Sequence, residues 1–168
     1  MASRTRVAPS RDGRSAALDD IDRAIVDALR RDGRLSMRSL ATQLHISRAN
    51  VYSRVERLEH DGVITGYAAH IDPHKYGHRV SAYIFLDIRQ QAWKSIREKV
   101  LKIREIDHVA LITGTHDIVV LARTTDVLAL RELVLNQLQV LDGVKSTRTE
   151  LIFDELEPAS TGAIYAAR

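Results

Sequence analysis

Apolar side chains at Leu18, Ile21, Ile25 and Leu29 recur at intervals of three and four, which places one stripe along one face of an α-helix. The helix opens at Asp19, Asp20 and Asp22, whose charges suit the positive end of a helix dipole, and it ends near Gly33. Ser36 is the N-cap of a second helix that buries Leu40, Ala41 and Leu44. After His45 and Ile46, Ser47 caps a third helix running to about His60, with Val51, Val55 and Leu58 facing inward and Asp61-Gly62 stopping it. Residues 63–67 and 68–71 form two short apolar runs that predict a small hairpin, or wing. Residues 72–78 hold Pro73 and Gly77 and read as a connector between domains.

Beyond the connector the rhythm changes. Val80, Ala82, Ile84, Leu86 and Ile88 alternate with mostly polar neighbours, the signature of a half-buried strand. Trp93, Ile96, Val100 and Ile103 predict a helix, residues 109–113 a second strand and residues 118–122 a third. Leu128, Leu130, Val134, Leu138 and Leu141 predict another helix, Asp142-Gly143 stops it, and residues 144–153 predict a fourth strand. The order β-α-β-β-α-β is the ferredoxin-like plan. The expected fold is α+β: a winged helix-turn-helix domain over 18–71, a linker over 72–78, and a ferredoxin-like domain over 79–156. Residues 1–17, with Arg4, Arg6, Arg11 and Arg14, read as a flexible basic tail, and residues 157–168 as an irregular C-terminal one.

The net charge of +3 over 168 residues argues for no partner. Its distribution does. Residues 1–78 carry 13 basic and 10 acidic side chains, while residues 79–168 carry 12 of each. In the first half only Lys75 among the basic residues is not arginine, and arginine suits bidentate contacts to phosphate and base edges. A basic module joined to a neutral one points to nucleic-acid binding plus a second task.

In a helix-turn-helix the second element enters the major groove of double-stranded DNA. The inward assignments leave Arg48, Ala49, Asn50, Tyr52, Ser53, Arg54 and Arg57 facing out on the third helix, behind the cap Ser47. Arg48 can read guanine and Asn50 adenine. Arg54 and Arg57 lie further along and are expected to hold phosphate, with Arg34 and Arg38 holding the backbone from the other side. The bland alternative is a three-helix bundle with a solvated basic face.

These residues carry a resemblance. Leu18-Asp-Asp-Ile-Asp-Arg-Ala-Ile-Val-Asp-Ala-Leu-Arg-Arg-Asp-Gly-Arg34 resembles the opening of the Lrp/AsnC (feast/famine) transcription regulators. Residues 44–59 resemble that family's recognition helix and residues 61–67 its wing. Residues 113–117 and 141–149 resemble its ligand domain, so the likeness spans about residues 18–156 in order. It implies a sequence-specific DNA-binding regulator whose C-terminal (RAM- or ACT-like) domains pair through their sheets into dimers and often octamers. It also implies an amino-acid effector bound between dimers near a Gly-x-x-Asp turn, matched here by Gly114 and Asp117. His116 stands where the family often has an aromatic residue.

Read from the residues alone, Gly114 lets a backbone N–H approach a ligand, and Asp117 can accept from an α-amino group. Thr113, Thr115 and His116 add polar groups, and Thr147 and Thr149 on the last strand are further candidates. The alternative is a plain β-turn in which Asp117 satisfies local backbone.

Other chemistry finds little support. There is no cysteine, hence no disulfide framework or thiolate site. His70, His74 and His78 recur every four residues, but Pro73 and Gly77 break the helix that zinc ligation would need, so no metal is expected. Nucleophile-elbow, P-loop and His-Glu-x-x-His motifs are missing, and no enzyme or cofactor is expected. No apolar run reaches the roughly 20 residues that span a bilayer, and the N-terminus does not read as a secretory signal, so a reduced cytoplasm is the expected location. The alternatives to a ligand-responsive regulator are a DNA-packaging protein of modest specificity with no effector, and a small-molecule-binding enzyme subunit.

Overall fold

The computed structural model describes residues 17–155. The basic stretch at residues 1–16 and the tail from residue 156 lie outside the described residues. The described chain divides into two compact units between Ala69 and His70.

The first unit holds α1 (Asp20–Arg31), α2 (Met37–Leu44) and α3 (Arg48–His60). Asp19 caps α1 through a capping box with Asp22: each carboxylate accepts the other's backbone N–H, at 2.8 and 3.2 Å. Ser36 and Ser47 cap α2 and α3 by accepting from the backbone of Ser39 and Asn50. Ile25, Leu29, Leu40, Ala41, Val51, Val55 and Leu58 close one core, as the helical spacing anticipated.

The expected wing hairpin does not form a ladder: residues 63–71 contain no strand. Val63 and Ile64 are drawn onto the helical core, and the Ile64 N–H donates to the Leu58 carbonyl. Tyr67 donates to Glu59 Oε1 at 2.8 Å; burial, then the Glu59 carboxylate, pushes its phenol up to about 12. The first run spends its hydrogen bonds and apolar groups on α3, Gly66 at φ +154° interrupts it, and residues 68–71 are exposed.

In the second unit, Asp72 caps the single turn α4 (Pro73–Tyr76), and Gly77 leaves it at φ +106°. The segment expected as a linker therefore belongs to this unit and is partly helical. There follow β1 (Val80–Ile88), α5 (Trp93–Val100), β2 (Ile106–Leu111), β3 (Ile118–Thr124), α6 (Val127–Glu132) and β4 (Val144–Ile152). The sheet is antiparallel in the order β2-β3-β1-β4, the ferredoxin-like arrangement. β2 starts three residues earlier than the alternation suggested.

Ala82, Ile84, Leu86 and Ile88 pack with Val120 and Ala122 against Ile96, Val100, Leu130, Leu133 and Leu138. Leu128, expected inward, is 70% exposed, while Leu133 is fully buried. Leu128 lies on regular α6 two residues from the buried Leu130, hence on another face. Leu133 is buried together with Leu138 through a π-helical turn over Leu133–Leu138, in which the Gln139 N–H reaches back five residues to the Val134 carbonyl. Five-residue spacing puts Leu133 and Leu138 in phase, which a 3.6-residue period does not.

Candidate DNA-reading helix and effector turn

The turn between α2 and α3 is closed by His45, held at φ 54° and ψ 39°. It is the one non-glycine residue at positive φ among the described residues. The Ile46 N–H then donates to the Ala41 carbonyl at 3.1 Å, and Ser47 starts α3. Arg48, Ala49, Asn50, Tyr52 and Ser53 are exposed on its first turns. Arg38, Ala41, Thr42, His45, Ile46 and Arg48 line a concavity of about 430 Å³. Arg38 and Arg48 thus line one concavity with Thr42, whose hydroxyl donates to the Arg38 carbonyl, and His45. Arg34 stands apart in the turn after α1, its backbone N–H donating to Asp32 Oδ1.

Arg54 and Arg57 do not stand free as phosphate holders; both turn onto the N-terminus of α1. Arg54 Nη1 lies 2.6 Å from Asp19 Oδ2 and 2.7 Å from Asp22 Oδ1, and Arg57 Nη2 reaches both Asp22 oxygens at 2.6 Å. Arg54 Nε also donates to Asn50 Oδ1 at 2.7 Å. Asp22 is 1% exposed. Burial pushes its carboxyl up, but the hydrogen bonds from Arg54 and Arg57 outweigh it and hold the group below the usual carboxylate range. Hydrogen bonds to Asp19, then to Asp22, push the Arg54 guanidinium further up. The sequence assigned Asp22 to the helix dipole alone. Its one further signal was the three-residue spacing of Arg54 and Arg57 beside Val55 and Leu58, which turns that arginine pair toward the core edge.

In the second unit the turn Thr113–Asp117 joins β2 to β3. Gly114 has φ +127°, with open space where a Cβ would stand, so backbone conformation and not crowding selects glycine here. Asp117 Oδ2 accepts the Ile88 N–H at 2.8 Å, and its backbone N–H and C=O bond Leu86 and Ile112. Asp117 thus pins the turn to the end of β1, 29 residues away along the chain, whereas the plain-turn reading has it satisfying local backbone. His116 Nδ1 lies 2.8 Å from Asp87 Oδ1, and its ring sits 5.1 Å from that of Phe85. Ser146 Oγ donates to Asp87 Oδ2. The Ser146 hydroxyl, then His116, hold the Asp87 carboxyl below its usual range. Asp87 and Ser146 escaped the sequence reading because their partners lie 29 and 59 residues away along the chain.

Thr147 pairs with Leu86 and Thr149 with Ile84, so both threonines lie on the helix-covered face of the sheet, where Gln139 Nε2 donates to Thr147. Phe85, Asp87 and Ser146 lie on the opposite face. The structure gathers His116, Asp87 and Ser146, and separates Thr147 and Thr149 from them. That opposite face also carries Tyr83, Val119 and Leu121, and Tyr83 is 44% exposed.

Residues 18–65 match the family model for winged helix-turn-helix DNA-binding domains, and residues 81–161 match that for the Lrp/AsnC ligand binding domain. An HTH-type transcriptional regulator of Pyrococcus horikoshii is 35% identical over 83% of this chain and 88% of its own. The leucine-responsive regulatory protein of Escherichia coli is 32% identical over 85% and 89%. The chain belongs to the Lrp/AsnC family. Its structure superimposes on a Neisseria meningitidis transcriptional regulator solved with L-Met, at a TM-score of 0.79 and 27% identity over 86% of this chain and 95% of that one. It is therefore an Lrp/AsnC-type transcriptional regulator with a DNA-binding and a ligand-binding domain. The relatives are regulators and not enzymes, and among the described residues no helix is long and apolar enough to cross a membrane.

Proposed function

We propose that this Lrp/AsnC regulator reads a two-fold symmetric DNA site as a homodimer or higher oligomer, and that an amino acid bound to its second unit changes that reading. The supporting observation on the DNA side is the exposed cluster Arg48, Asn50 and Tyr52 on the first turns of a capped α3. In this reading α3 lies in the major groove, Arg48 and Asn50 contact base edges, and Arg38 holds backbone phosphate beside Arg48. Ser47, Ala49 and Ser53 line the approach, and Arg34 reaches the flanking backbone.

On the assembly side, the open sheet face with Tyr83, Phe85, Val119 and Leu121 is the apolar surface a second copy would cover. On the effector side, the methionine complex of the meningococcal relative supports an amino-acid ligand, and the family resemblance of the Gly114–Asp117 turn is the reason for seating it there. Asp117 Oδ2 is engaged by backbone, so His116, with its ring set by Asp87, and the exposed Thr113 and Thr115 are the polar side chains of this turn that meet the ligand in this reading. The ligand acts by changing how dimers associate, which repositions DNA readers it never touches.

The test is a panel of amino acids, L-methionine and L-leucine included, added to the full chain. Oligomer mass and affinity for a selected duplex are the readouts. A shift in both with one amino acid or a small set supports the reading, and no shift across the panel removes its effector half.

A further inference from the structure

Asn50 and Arg54 are four residues apart on α3 and so share a face. The Arg54 guanidinium is not free to sweep that face. Its Nη1 is fixed by Asp19 at 2.6 Å and Asp22 at 2.7 Å. Those carboxylates are themselves locked: Asp19 is the N-cap of α1, Asp22 closes the capping box, and Arg57 holds Asp22 from the other side. From this anchor Arg54 Nε points at Asn50 Oδ1, 2.7 Å away. Nε can only donate, so the contact fixes which end of the amide is oxygen. The Asn50 oxygen faces the next turn of α3 and keeps a second lone pair, while its NH2 is left for a partner outside the helix.

We propose that Arg54 is a positioning residue for base readout: held by Asp19 and Asp22, it sets the Asn50 amide in the orientation that a bidentate contact to a base requires. This rests on the reading of Asn50 as a base contact. A bidentate amide–adenine pair needs both ends of the amide coplanar with the base. An amide already fixed loses less side-chain freedom on binding, so discrimination at that base rises. Charge argues the same way. Two carboxylates offset the two guanidiniums of Arg54 and Arg57, so this cluster carries no net formal charge to draw phosphate.

Base preferences of the full chain and three variants, measured on the same randomised duplex library, test the proposal. Asn50→Ala identifies the base pair that Asn50 reads. Arg54→Lys keeps the charge on Asp19 and Asp22 but has no Nε for Asn50. Preference at that one base pair is expected to fall about fivefold to tenfold, a part of what a bidentate contact supplies, with the other positions unchanged. Asp19→Asn keeps a good N-cap, weakens the hold on Arg54, and is expected to flatten the same position by less; it decides the matter if Arg54→Lys fails to fold. Unchanged preferences in Arg54→Lys, or an equal loss at all sequences, overturn the positioning role while Asn50 stands as a reader. If Asn50→Ala leaves every preference intact, the base-contact reading falls and the positioning role with it.

Discussion

Arg57 sets Nη2 2.6 Å from both carboxylate oxygens of Asp22, a residue 1% exposed at the third position of α1. One buried acid thereby ties the first helix of the DNA-binding unit to its reading helix. Asp22→Ala takes from Arg57 its carboxylate partner and leaves Arg54 with Asp19 and Asn50 alone, and is expected to destabilise the unit by about 1–3 kcal/mol, since both arginines can turn partly to water. Amide exchange in α1 and α3 of the full chain reads this directly. Protection equal to wild type in both helices would contradict it.

The same pair gives a pH dependence with a definite sign. The folded-state pKa of Asp22 lies below its ordinary value of 3.8, so the unfolded chain binds the proton more readily. Its stabilisation is complete above about pH 5 and is lost as pH falls through 3.8 toward the folded pKa. Thermal unfolding of wild type and Asp22→Asn is expected to differ most near neutral pH and to converge in acid. A difference that widens below pH 4 would reverse the sign.

His45 holds a left-handed conformation that costs most side chains about 1 kcal/mol. His45→Gly removes that strain but frees the unfolded chain, so a net gain of up to about 1 kcal/mol is expected. It is measured by the exchange protection of α2 and α3; a loss of protection would mean the imidazole packs more favourably than its backbone suggests.

Gly143 precedes β4 at φ +97°, and a Cβ there would stand 2.2 Å from the Cβ of Ala92. Gly143→Ala is expected to cost about 2 kcal/mol or more in the second unit, from overpacking and backbone strain together. Adding Ala92→Gly is expected to recover part of the loss, leaving the strain. Melting temperatures of the two variants separate these contributions, and no recovery in the double variant would deny the clash.

The open sheet face gives an assembly prediction. Tyr83→Glu puts a charge among Phe85, Val119 and Leu121 without entering the helix-covered core. Mass in solution is expected to drop to that of a monomer; an unchanged oligomer would move the interface elsewhere.

Elements carried by strong periodicity were legible in the sequence. The alternation from Val80 to Ile88 and the three-four spacing from Leu18 to Leu29 gave β1 and α1, because each pattern has one physical solution. The wing failed because short apolar runs do not say whether they pair with each other or fall on a helix, as Val63 and Ile64 do. Leu133 was hidden by a π-turn that no 3.6-residue template represents. At the sites, exposure of Arg48 and Asn50 followed from helix phase. The capture of Arg54 and Arg57 by Asp22 joins residues 32 and 35 positions apart, which only the tertiary fold brings together.

The most direct test of DNA reading by α3 is selection of full-length protein against a library of randomised duplexes, alongside the Arg48→Ala/Asn50→Ala variant. The expected result is a two-fold symmetric motif with half-sites about 10 base pairs apart, or a multiple of that, for the wild type, and loss of that motif with residual weak binding for the variant. Recovery of the same motif by the variant, or no enriched motif with the wild type, would contradict it.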